Sequence, residues 1–238
     1  MESFSTAESL PDHLVGSPQP WATSWTPIAV GGALTAVVSA DLLIGGPLRR
    51  WDHSVITATQ PAGGAGDPAW QAVADLGGSA FLAFVLIAAL CIHFMAGRNW
   101  RPTAFAAGWV GLIAGVIWLS KTVIGRTPPW SRVDLLHAGG MSYPSGHSTS
   151  AAAFLLIAAT LATTPGSRLD RITISTVPAV AAAVAIATVH LRYHWPSDAI
   201  AGWALGLTLG LLARRFIRRA THQAVPDSTT SSSSTVGS

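Results

Sequence analysis

Two histidines and a carboxylate stand in settings that suit proton and phosphoryl chemistry. His147 lies in "YPSGHSTS", and His194 and Asp198 lie in "TVHLRYHWPSDAIAGW". His194 and Asp198 are four apart, with Pro196 and Ser197 starting a new helix between them. At that spacing a carboxylate can accept a hydrogen bond from one imidazole nitrogen and leave the other free as a nucleophile. His190, His194 and Asp198 also step by four, a pattern that would suit a metal on an unbroken helix. Pro196 interrupts that helix, and no Cys or clustered carboxylate completes a shell. No metal and no cofactor are therefore expected.

In "PSGH", Pro144 and Ser145 precede a helix, and Ser145 is suited to cap its first turn. Gly146 removes the side chain that would keep a ligand from the backbone. Unpaired amides at a helix N-terminus, with the positive end of the dipole behind them, form an anion site. Ordinary capping beside an isolated histidine is the other reading these four residues allow. A third group is "SKTVIGRTPPW", where Lys121 is the only lysine among 14 basic residues. An interfacial anchor would more naturally be another arginine, so Lys121 is a candidate anion ligand rather than a snorkelling side chain.

The elements that must carry these groups are apolar. Half of the 238 residues are hydrophobic and 11% are charged, against about 25% charged in soluble domains; mean hydropathy is +0.43. The net charge of +3 comes from few groups, which excludes nucleic-acid binding as an explanation. The single cysteine, Cys91, sits in an apolar run and permits no disulfide within one chain; it is expected to face lipid or to fill packing space.

Six stretches are long enough to cross a bilayer core: Ile28–Ile44, Leu76–Met95, Thr103–Ser120, Ser148–Thr163, Ile172–Val189 and Ala199–Ala213. The expected fold is all-α, a polytopic six-transmembrane-helix bundle, because open sheets leave unsatisfied backbone in lipid. Trp21, Trp25, Trp51, Trp100, Trp130 and Trp195 fall near the predicted ends, where indoles favour headgroups. Arginines cluster at 98 and 101, at 168 and 171, and at 214, 215, 218 and 219. Six spans put all three groups on one side, which the positive-inside rule makes cytoplasmic. Both termini are then cytoplasmic, and the three chemical motifs meet on the extracytoplasmic face.

The expected organisation is a tail at 1–25, a membrane domain at 26–219 and a Ser/Thr-rich tail at 220–238. The first tail lacks Lys and Arg, so it reads as a disordered tail rather than a secretory signal, and the Ser/Thr-rich tail cannot bury enough apolar surface to fold. Between the first two spans, residues 47–75 form a long connection that either builds short interfacial helices or stays irregular. Gly202, Gly206 and Gly210 form a small-residue face that serves either packing within the bundle or dimerisation.

These motifs together resemble the type-2 phosphatidic acid phosphatase superfamily of membrane lipid phosphatases. Its pattern is Lys, six residues, Arg-Pro; then Pro-Ser-Gly-His; then Ser-Arg, five residues, His, three residues, Asp. Lys121 to Asp198 carry it, with Pro128-Pro129 in place of Arg-Pro and Ala187-Thr188 in place of Ser-Arg. The resemblance implies a metal-independent phosphoric ester hydrolase. His194 attacks phosphorus to form a phosphohistidine, Asp198 orients it, and His147 protonates the leaving oxygen and later activates water. Lys121, Ser145 and Gly146 hold phosphate oxygens, and Arg126 and Arg192, with Arg132 as a third candidate, are expected to replace the two missing guanidinium groups. The expected partners are a lipid phosphate and the bilayer. A lipid phosphotransferase acting on an alcohol, or a non-catalytic phospholipid-binding relative, is the alternative.

Overall fold

Prolines mark where most helices begin. The computed structural model describes residues 24–59 and 67–222. Helix α1 spans Thr26–Ile44 with a proline in its first turn. The amphipathic helix α2 spans Pro47–Ala58, and α3 spans Pro68–Asp75, capped by the Asp67 side chain. Next come α4, Ser79–Met95; α5, Arg101–Ile124; and α6, Gly146–Ala162. Finally α7 spans Arg168–His190 and α8 spans Pro196–His222. A single 3-10 turn, Pro129–Ser131, interrupts the connection between α5 and α6.

The six expected spans coincide with α1, α4, α5, α6, α7 and α8. By length and composition, however, four helices among the described residues reach across a bilayer: α1, α5, α7 and α8. The pair α3 and α4, bent by 43°, makes a fifth if the two are one span, and α6 is a shorter apolar helix of 17 residues. It packs against α4, α5, α7 and α8 at the middle of the bundle, and eleven of its residues are buried. Outward-facing positions such as Val37, Phe84, Ile87, Leu112, Trp118 and Ile186 are exposed. Such a belt fits contact with lipid tails rather than water. Cys91 belongs to this outer surface.

The glycine face of α8 lies against α6. A Cβ at Gly202 would be 2.6 Å from the Ser145 carbonyl oxygen, and one at Gly206 would be 2.5 Å from that of Thr149. Small residues here let two backbones touch, so the stripe is used within the bundle. At the N-terminal end of α8 this closeness brings "PSGH" beside "HWPSD".

At the other end, basic side chains gather around one carboxylate. Arg214 and Arg218 each lie 2.9 Å from Asp170. Arg98 donates to the Leu161 carbonyl oxygen at 2.8 Å, and Arg215 lies over the Trp25 ring. Helix α8 runs three residues past the domain end expected at 219. Apart from Ser24, Trp25 and residues 220–222, the expected tails lie outside the described residues, as does Trp21. The long connection forms helices α2 and α3, with residues 60–66 between them outside the described range.

Candidate active site

Three chain ends converge to make the site: the exit of α5, the entry of α6 and the turn from α7 into α8. The α6 entry follows a cis Tyr143–Pro144 peptide. Ser145 is its N-cap and accepts from the Ser148 N–H at 3.4 Å and the Ser148 hydroxyl at 3.0 Å. The Ser145 N–H donates to the Asp198 carbonyl oxygen at 3.0 Å. The Ser145 N–H thus joins α6 to α8, while its hydroxyl accepts within α6 and keeps its own O–H to donate, and the residue is buried. Helix geometry leaves the Gly146 and His147 amides without an intrahelical acceptor. A Cβ at Gly146 would sit 3.5 Å from Lys121 Cε, so the lysine stem runs past that first turn. Lys121 Nζ donates to the Met141 carbonyl oxygen.

His194 sits in the turn after α7, where Arg192 adopts φ 59° and the Tyr193 and His194 amides return to the Thr188 carbonyl. Its Nδ1 lies 2.8 Å from the Ser142 carbonyl oxygen. A carbonyl only accepts, so Nδ1 carries the proton and the lone pair lies on Nε2. Burial, aided by the nearby Lys121 and His147, pushes the His194 imidazole down to about 3 despite the Ser142 hydrogen bond. The ring is therefore neutral near pH 7. His147 and His194 face each other with ring centroids 6.3 Å apart, and Tyr193 lies 6.3 Å from His147.

Asp198 does not hydrogen-bond to His194 as the spacing suggested; its Oδ2 is 4.0 Å from Nδ1. It instead accepts from Arg126 Nη1 at 2.7 Å, the Ser142 hydroxyl at 2.5 Å and the Trp195 N–H at 3.1 Å. The last bond is half of a capping box, since Asp198 is the third residue of α8 and Trp195 precedes its first. Ser142 thus bridges the pair, its carbonyl on the imidazole and its hydroxyl on the carboxylate.

Arg126 departs from expectation. The Arg126 guanidinium is fully buried and bonded to Asp52 at 2.8 Å, to Asp134 at 2.9 Å and to Asp198 at 2.7 Å. Burial alone would lower its pKa, but Asp198, Asp134 and Asp52 outweigh it and raise the group above its ordinary range. No donor remains for a ligand. Arg192 reaches the Ile56 carbonyl oxygen at 2.9 Å and the Thr59 carbonyl oxygen at 3.3 Å, bracing the end of α2. Arg132 is exposed beyond the 3-10 turn, at φ 61°. His190 stacks on Trp70 at 4.6 Å instead of joining His194 and Asp198. Trp195, expected among headgroups, is buried and donates to the Thr127 carbonyl oxygen at 2.8 Å.

Three contributors escaped sequence reasoning. Ser142 acts partly through a carbonyl, which no residue type announces. Asp134 lies in an irregular loop. Asp52 did leave a signal, because it falls on the face of α2 that also buries Ile56, where a carboxylate requires a partner.

A helical bundle with a lipid-facing belt and a pair of opposed imidazoles at one end defines a class of membrane protein, and the comparisons say which. Residues 102–222 match the family model described as the PAP2 superfamily, and the chain belongs to that superfamily. A similar solved structure is the crystal structure of the first transmembrane PAP2 type phosphatidylglycerolphosphate phosphatase from Bacillus subtilis. The two share 25% identity with a TM-score of 0.54, over 80% of this chain and 87% of that one. A search of curated proteins finds no match.

Proposed function

We propose that the protein is a lipid phosphate phosphatase that works through a phosphohistidine without a metal. One observation carries the reading: a neutral His194, its Nδ1 proton held by the Ser142 carbonyl, faces His147 at 6.3 Å across the α6 N-terminus. Nε2 of His194 attacks the phosphorus of a phosphomonoester or pyrophosphate. The P–O bond breaks as His147 gives its proton to the leaving oxygen. Water, activated by His147, then splits the phosphorus–nitrogen bond and releases inorganic phosphate. Lys121 and the Gly146 and His147 amides hold the non-bridging oxygens.

The substrate head enters from the extracytoplasmic face and its tail lies between helices. With the arginine-rich end cytoplasmic, both termini are cytoplasmic as well. The activity of the similar Bacillus subtilis enzyme makes phosphatidylglycerolphosphate the first substrate to test. Purified protein should release phosphate from a phosphorylated lipid in the presence of EDTA, and His194→Ala should abolish release. Release that survives this substitution removes His194 as the nucleophile.

Phosphotransfer to an alcohol is the second reading. It is favoured by the departures at 128 and 188, where the buried Thr188 hydroxyl donates to the Ala185 carbonyl oxygen instead of facing a ligand. Product analysis with and without added alcohols separates the two reactions.

A further inference from the structure

Asp52 lies on α2, outside the residues that match the family model, and its carboxylate is fully buried. Burying a carboxylate is costly unless every oxygen is bonded and a counter-charge is present. Asp52 meets both conditions. It accepts from the Ser197 N–H at 2.8 Å, from the Ser197 hydroxyl at 2.5 Å and from Arg126 Nη2 at 2.8 Å.

All of these bonds lead to Asp198. Ser197 precedes it in the chain, and Trp195, the residue before α8, has no side chain able to cap that helix. Asp52 therefore caps α8 from another helix. Arg126 Nη1 holds Asp198 at 2.7 Å and the Ser197 hydroxyl at 2.8 Å. Asp134 grips the opposite edge of the same guanidinium through Nε at 2.9 Å and Nη2 at 3.0 Å. A planar fork bonded along three edges has one orientation, so the place of Asp198 is set from α2.

The charges also bear on His194. Arg126 and Arg49 neutralise two of the three carboxylates Asp52, Asp134 and Asp198. Lys121 adds a further cation, close enough to act on both Asp198 and the ring that must become positive during attack. We propose that Asp52 is a positioning residue for phosphoryl transfer: through Ser197 and Arg126 it fixes Asp198 against Ser142, and so fixes the His194 ring. This rests on the proposed reaction, in which His194 is the nucleophile.

The test is Asp52→Asn in the full chain, assayed on a phospholipid monoester that the unaltered protein hydrolyses. The substitution keeps the shape and removes the charge. The expected result is a kcat lower by about 10-fold or more, as loss of a group that orients a reacting side chain commonly gives, with KM changed by less than about twofold. The melting temperature in the same detergent should stay within a few degrees. An unchanged kcat overturns the proposal, as does a loss that merely tracks the folded fraction.

If Asp52→Asn fails to fold, Ser197→Ala removes only the hydroxyl branch. Its kcat should fall about threefold with KM unchanged, and no change overturns the proposal. If the unaltered protein hydrolyses no lipid phosphate, the proposed reaction fails by itself. The positioning role is then read from the His194 imidazole nitrogen resonances, which must shift in Asp52→Asn or in Ser197→Ala. Unmoved resonances overturn it.

Discussion

His194 is built to stay unprotonated. Its Nδ1–H is committed to a backbone carbonyl, and burial beside Lys121 and His147 holds its pKa down to about 3. Burial has a consequence for folding as well as chemistry. An unfolded chain lets this imidazole take a proton below about pH 6.5, whereas the folded protein refuses it until about pH 3. In that window the unfolded state binds more protons, so stability rises with pH and is lost on acidification. Melting in detergent should therefore drop between pH 7 and pH 4.5. His194→Gln, which removes the titrating ring, should show a shallower drop. Equal slopes for the two proteins would mean that the ring is not held neutral.

At the scale of elements, the α6–α8 contact brings the motifs together. Its closeness depends on Gly202, Gly206 and Gly210. A side chain at Gly206 would meet the Thr149 carbonyl oxygen at 2.5 Å and Ala152 Cβ at 2.8 Å. Backbone cannot yield as a flexible side chain can, so Gly206→Val must push the helices apart. Overpacking of this kind costs about 1–3 kcal/mol. The variant should melt lower and lose activity, because the Ser145 N–H would draw away from Asp198. A Cβ at Gly108 on α5 would have nothing within 4 Å. Gly108→Ala should be neutral or stabilising by up to about 1 kcal/mol through helix propensity. Similar losses in both variants would show that the glycine face has no special packing role.

For the whole molecule, the distribution of charge predicts an orientation. One end holds Arg98, Arg168, Arg214 and Arg218 near Asp170, and the other holds the opposed histidines. Positively charged flanks stay on the cytoplasmic side. Single cysteines placed in a Cys91→Ser background report this directly. An impermeant maleimide added to intact cells should label Trp130→Cys at the histidine end and spare Arg168→Cys until the membrane is opened. The reverse pattern would put the site in the cytoplasm and exclude an extracytoplasmic substrate head.

Much was legible in the residues themselves. Long apolar runs dictate membrane helices because lipid cannot satisfy backbone polar groups, and the helix-opening signals at Ser145 and Pro196 mark where α6 and α8 begin. The motif spacings likewise single out His147, His194 and Lys121. Tertiary structure alone decided which partners those groups take. Four-residue spacing suggested an Asp198–His194 bond, but Arg126 and the Ser142 hydroxyl draw the carboxylate 4.0 Å from the ring. Arg126 looked available for phosphate until Asp52, Asp134 and Asp198, far apart in the chain, closed around it. Local sequence encodes where helices begin and which faces are apolar. Hydrogen bonds between distant segments depend on packing distances that no short stretch contains.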